Sequence, residues 1–89
     1  MPQKIKIPLS RERRLAPRRN TMIGATIVYN GGQTRLACTV RNISDGGAKL
    51  EVSKVQGIPQ TFDLEMPGSD HMPCRVVWRA LRELGVAFV

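Results

Sequence analysis

The feature that most restricts this chain is a succession of short segments in which apolar and polar residues alternate with period two, each closed by Gly, Pro or Asn/Asp. Such alternation gives a half-buried β-strand, and the close punctuation leaves no length for an amphipathic helix. Residues 21–29 are rich in β-branched side chains, and Asn30-Gly31-Gly32 supplies the positive-φ positions of a tight hairpin. From about Gln33 the next strand sets Leu36, Cys38 and Val40 against Arg35, Thr39 and Arg41, until Asp45-Gly46-Gly47 breaks it. Residues 48–52, 61–66, 72–80 and 85–89 complete the set, with Gly57, Pro59 and Pro67-Gly68-Ser69-Asp70 marking loops. In the fifth, the same alternation places Cys74, Val76, Trp78 and Ala80 on the core face. The fold class is therefore all-β, and for 89 residues a small six-stranded antiparallel barrel is predicted, because closure removes exposed strand edges.

Charge divides the chain in two. Residues 1–20 hold seven cations against the single anion Glu12, whereas residues 21–89 hold seven cations against six anions. The first segment has neither helical nor strand periodicity, and Pro2, Pro8 and Pro17 interrupt it. The expected organisation is a flexible basic N-terminal arm, 1–20, and a barrel, 21–89. A nearly neutral body with a strongly basic arm points to an anionic partner: nucleic acid, a nucleotide phosphate or a lipid surface. No apolar run has the length of a signal-peptide core or a bilayer span, so a cytoplasmic protein without membrane insertion is expected. Cys38 and Cys74 both fall on core-facing positions and read as reduced core residues.

An enzyme finds little support. His71 is the one histidine, in a turn, and Ser10, Ser44, Ser53 and Ser69 lack the context of an activated nucleophile. No spacing of His, Cys or acidic residues forms a metal site, so neither catalytic residues, metal nor cofactor are expected. A nucleic-acid platform is also disfavoured. Such surfaces stack bases on exposed aromatics, and Tyr29, Phe62, Trp78 and Phe88 are the whole supply, three of them on core positions.

Two short motifs stand out. Arg14-Leu15-Ala16-Pro17-Arg18 carries two guanidinium groups around a backbone-restricting proline, and arginine binds phosphate or the O6/N7 edge of guanine bidentately. In Asn42-Ile43-Ser44-Asp45-Gly46-Gly47, Asn42 and Ser44 are two apart and project to the same side of an extended backbone, while the glycines permit a turn or a close approach.

Together these motifs resemble those of the PilZ family, Arg-x-x-x-Arg followed after a strand by Asp/Asn-x-Ser-x-x-Gly. Arg14 and Arg18 match the first, and Asn42, Ser44 and Gly47 match the second. Val76-Val77-Trp78 and Gly85-Val86-Ala87-Phe88 are similar to the family's last two strands. The resemblance implies a six-stranded barrel that binds the bacterial second messenger cyclic di-GMP. It implies that Arg14 and Arg18 clamp phosphates and guanine edges, that Asn42 and Ser44 bond to the ligand, and that Gly47 shapes the loop. Arg13, directly before the motif, implies uptake of two mutually intercalated ligand molecules. An adaptor of this kind signals to a downstream protein by changing the conformation of its arm. Asn42 stands where Asp is commoner, a change within the family's pattern.

Overall fold

The structure, a computed structural model, describes residues 19–89. Residues 1–18 of the arm, with Arg13, Arg14 and Arg18, lie outside the described residues, while Arg19 and Asn20, expected to end the arm, begin the first strand. Six strands follow in chain order: β1 (Arg19–Tyr29), β2 (Thr34–Ile43), β3 (Gly47–Glu51), β4 (Thr61–Glu65), β5 (Met72–Arg79) and β6 (Glu83–Phe88). They close into a barrel in the order β1-β2-β3-β6-β5-β4, and every pairing is antiparallel. Among the described residues no helix is long and apolar enough to cross a membrane.

The turn chemistry is that expected from sequence. Asn30, Gly31 and Gly32 adopt φ of 57°, 65° and 89°, and Gly32 and Gln33 donate their amides to the carbonyls of Tyr29 and Asn30. Every strand sends its alternate apolar side chains inward, so that Ile27, Val40, Leu50, Leu64, Cys74 and Leu84 are fully buried. The segment between β3 and β4 adds Val52 and Ile58 to this core. It is held by the Val52 amide on the Arg82 carbonyl at 2.9 Å and by Arg79 Nη1 donating to the Ile58 carbonyl at 2.8 Å. Both cysteines are free and buried. Burial pushes the Cys38 thiol up to about 11 and, with the charges of Asp63 and Cys38 adding, the Cys74 thiol up to about 12.

Trp78 departs from the expected pattern. Strict alternation puts it inside with Cys74 and Val76, yet it is 43% exposed. Val76 pairs with Val86 and Trp78 with Gly85, adjacent residues on β6, so Val77 is an extra residue on β5. A one-residue bulge reverses the faces beyond it. Trp78 therefore leaves the core for the outer surface.

Candidate functional site

The same device recurs on two other strands. On β1, Asn20 pairs with Asn42 and Ile23 with Val40, so Thr21 and Met22 together oppose Arg41. On β2, Val40 and Asn42 pair with the adjacent residues Leu50 and Lys49, which makes Arg41 the extra residue there. Alternation carried forward from Cys38 and Val40 would turn Asn42 into the core. The bulge at Arg41 turns it outward, and Ile43 packs against the core instead.

All three bulges border one row of paired residues. Asn20 pairs with Asn42, Asn42 with Lys49, Lys49 with Gly85 and Gly85 with Trp78, a line across five strands. It runs over the outer surface as two amides, an ammonium, a bare backbone and an indole. Gly85 makes this seat possible: a Cβ on it would lie 2.0 Å from Trp78 Nε1 and 2.3 Å from Cε2, so the indole rests on the space a side chain would fill.

Two grooves meet on this row and share Asn42 and Lys49. One, of about 380 Å³, runs to Trp78 over Gly85 and Ala87. The other, of about 590 Å³, runs toward Asn20, Met22, Arg41 and Glu83. Glu51 and Glu83 sit opposite each other on β3 and β6, a repulsive placement that two cations offset. Arg41 Nη1 lies 2.8 Å from Glu51 Oε1, a hydrogen-bonded pair, while Lys49 Nζ lies 3.8 Å from Glu83 Oε2, beyond hydrogen-bond length.

The sequence motif distributes itself around this surface. Asn42 lines both grooves. Ser44 follows the end of β2, where its amide donates to the Gly47 carbonyl at 2.9 Å and its hydroxyl lies 3.5 Å from the same oxygen. Gly47 is buried where β3 meets β6, and a Cβ on it would stand 2.2 Å from the Val86 carbonyl oxygen. Its glycine is thus demanded by a backbone approach within the barrel. Arg19, one residue after Arg18 in sequence, pairs with Ile43, between Asn42 and Ser44.

Lys49 and Trp78 were not legible as site residues by alternation alone. The cue for Trp78 is Val76-Val77-Trp78, in which an apolar residue occupies the polar phase just before the aromatic. His71 lies elsewhere, 2.6 Å from Glu65 Oε2 and beside a separate hollow lined by Tyr29, Phe62 and Pro73. There the hydrogen bond from Arg35 holds the Glu65 carboxyl below its ordinary range.

Residues 12–89 match the family model of the PilZ domain. Among solved structures, the crystal structure of the PilZ domain of CeSA from a cellulose-synthesizing bacterium is similar, with a TM-score of 0.63 at 14% identity. The match covers 82% of this chain and 80% of that one, and at this identity it bears on the fold alone. No curated protein matches the chain. Since the family match runs from within the arginine-rich segment to the last strand, and the barrel has the corresponding fold, this chain belongs to the PilZ domain family.

Proposed function

We propose that this protein is a cytoplasmic cyclic di-GMP receptor that binds the nucleotide without hydrolysing it and signals to a partner protein through its N-terminal arm. The observation that carries this reading is the pairing of Arg19 with Ile43, which starts β1 between the two polar residues of the Asn42-x-Ser44-x-x-Gly47 motif. The arginine motif immediately precedes that point in the chain. Cyclic di-GMP is a dianion with two guanines. Arg14 and Arg18 suit its phosphates and guanine O6/N7 edges, and Asn42 supplies a neutral amide beside them. Ser44 adds a hydroxyl if it exchanges its long contact with Gly47 for the ligand, while Gly47 acts through the barrel backbone.

The proposed stoichiometry of two mutually intercalated ligand molecules rests on Arg13, which would supply the extra cation for the second dianion. The ligand is the only small molecule required, and no cofactor enters the scheme.

Calorimetric titration of cyclic di-GMP tests the reading. Wild type is expected to bind two molecules per chain and to return them intact on nucleotide chromatography. Arg14→Ala and Arg18→Ala should each weaken binding by about tenfold or more, since hydrogen bonds to charged groups contribute ~1.5–3 kcal/mol. Arg75→Ala is the proper control, because Arg79 is committed to the Ile58 carbonyl and its removal disturbs the loop before β4. Equal weakening by Arg75→Ala would assign the binding to general basicity, and a linear product would exclude a simple receptor.

A further inference from the structure

Of the features outside the two sequence motifs, Lys49 is the one that the geometry places at the centre of the site. We infer that Lys49 is a phosphate-binding residue of this protein and that Glu83 is its internal competitor, holding the ammonium until an anionic ligand replaces the carboxylate. The inference rests on the cyclic di-GMP reading above and adds to it a cation on the barrel itself.

Three observations converge on it. Lys49 lines both grooves, and on the described barrel only Asn42 shares that position. Its register partners are Asn42 on one side and Gly85 on the other, so the ammonium rises from the row between the amide and the surface under Trp78. Its ion pair is loose. At 3.8 Å from Glu83 Oε2 the attraction is coulombic, and the three N–H donors are not aimed into a hydrogen bond with that carboxylate.

Arg41, the other cation lining these grooves, is by contrast hydrogen-bonded to Glu51 at 2.8 Å. A phosphate oxygen reaching the row would thus meet Lys49 as the less committed cation. Both partners of the loose pair are partly exposed, at 34% and 39%, so separating them costs little. Glu83 also faces Glu51 across β3 and β6, and so gains nothing from its neighbour when Lys49 turns away.

A lysine that merely solubilises the outer face would behave differently, and the difference lies in Glu83. If the carboxylate competes with the ligand for the ammonium, removing its charge strengthens binding. If Lys49 is a bystander, Glu83→Gln acts only by relieving repulsion of the dianion, and its gain is as large in a Lys49→Met background as in wild type.

The test is calorimetry on the full chain with cyclic di-GMP, comparing wild type, Lys49→Met, Lys49→Arg, Glu83→Gln, the double variant Lys49→Met with Glu83→Gln, and Arg18→Ala, with thermal melts run on each. Lys49→Met is expected to weaken binding by about tenfold, and Lys49→Arg to stay within about threefold because the charge is kept. Glu83→Gln is expected to tighten binding by about threefold, a gain that damaged folding cannot produce. Lys49→Met within about twofold of wild type, alongside a large loss in Arg18→Ala, overturns the role of Lys49 and leaves the receptor reading intact. Unchanged or weaker binding in Glu83→Gln, or an equal gain when Glu83→Gln is added to Lys49→Met, overturns the competition. Wild type that takes up no cyclic di-GMP overturns the inference together with the reading on which it rests.

Discussion

The indole of Trp78 lies against the backbone of Gly85, its partner across β5 and β6, at a distance that leaves no room for a Cβ. The bulge at Val77 brings the tryptophan outside, and the glycine lets it lie flat along the groove that leads to Lys49 and Asn42.

This relationship makes Trp78 a reporter. Because it is the only tryptophan, its emission reads a single position. Gly85→Ala is expected to push the ring off its seat and shift its emission toward that of a solvated indole. The stability cost should be about 1 kcal/mol or less, since a side chain rather than backbone must give way. Cyclic di-GMP should change the emission of wild type, and Trp78→Ala should weaken binding by about tenfold, within the ~1–3 kcal/mol that stacking a base on an aromatic contributes. Wild-type emission that is insensitive to saturating ligand would remove Trp78 from the site.

Gly47 gives the opposite expectation from the same kind of geometry. Its missing Cβ would meet the carbonyl oxygen of Val86 at 2.2 Å, and neither strand can yield without breaking the β3–β6 ladder. Gly47→Ala should therefore cost about 1–3 kcal/mol, lowering the melting temperature by several degrees. Gly46→Ala, with nothing within 4 Å, should stay within about 0.5 kcal/mol of wild type. Urea denaturation of the two variants decides. A Gly47→Ala protein as stable as Gly46→Ala would mean that β3 and β6 approach less closely than described.

Much of the barrel was legible because alternation is a property of one strand. Cys38 and Val40, Leu50, Phe62 and Leu64, and Cys74 and Val76 all lie where their own segments put them. A bulge is a property of two strands. Nothing in 72–80 taken alone states that Val77 has no counterpart on β6, and so the pattern that placed Val76 correctly misplaced Trp78. The same limit applies to Asn42. Its motif was recognisable as a string, but its outward direction follows from Arg41 having no partner between Leu50 and Lys49. Lys49 was invisible for a different reason: it looks like any polar residue of an alternating strand until the register sets it between Asn42 and Gly85.

The buried thiols set a pH dependence whose sign can be worked out. Cys38 and Cys74 titrate at about 11 and about 12 in the folded protein, against an ordinary value of 9.0. Below pH 9 both states keep the thiols protonated, and these groups leave stability unchanged. Above it the unfolded chain releases protons that the folded one retains, so stability declines as pH rises from 9 toward 11 and 12. Urea midpoints measured from pH 7.5 to 10.5 should fall less steeply in a Cys38→Ala, Cys74→Ala double variant than in wild type. Thiol labelling at pH 8 should be slow when native and fast in urea. Rapid native labelling would show that the barrel opens to solvent at these positions.

The arm supplies the last prediction, because a receptor needs a part that changes when ligand binds. Lys4, Lys6, Arg11, Arg13, Arg14, Arg18 and Arg19 repel one another, and Pro8 and Pro17 forbid a continuous helix through the segment. Its anchor is β1, which meets the row at Asn20 and Asn42. A dianion bridging the arginines to that row would offset the repulsion and favour an arm closed over the grooves, shifting the population by its differential affinity for that state. Amide hydrogen exchange over residues 4–18 is expected to be fast without ligand and slowed at least about tenfold with cyclic di-GMP, with Arg14→Ala and Arg18→Ala losing that gain. The competing arrangement is an arm already packed through Ile5, Ile7, Leu9 and Leu15. It predicts equal protection in both states, a result that would leave the ligand nothing to move and place the signal on the barrel surface around Trp78.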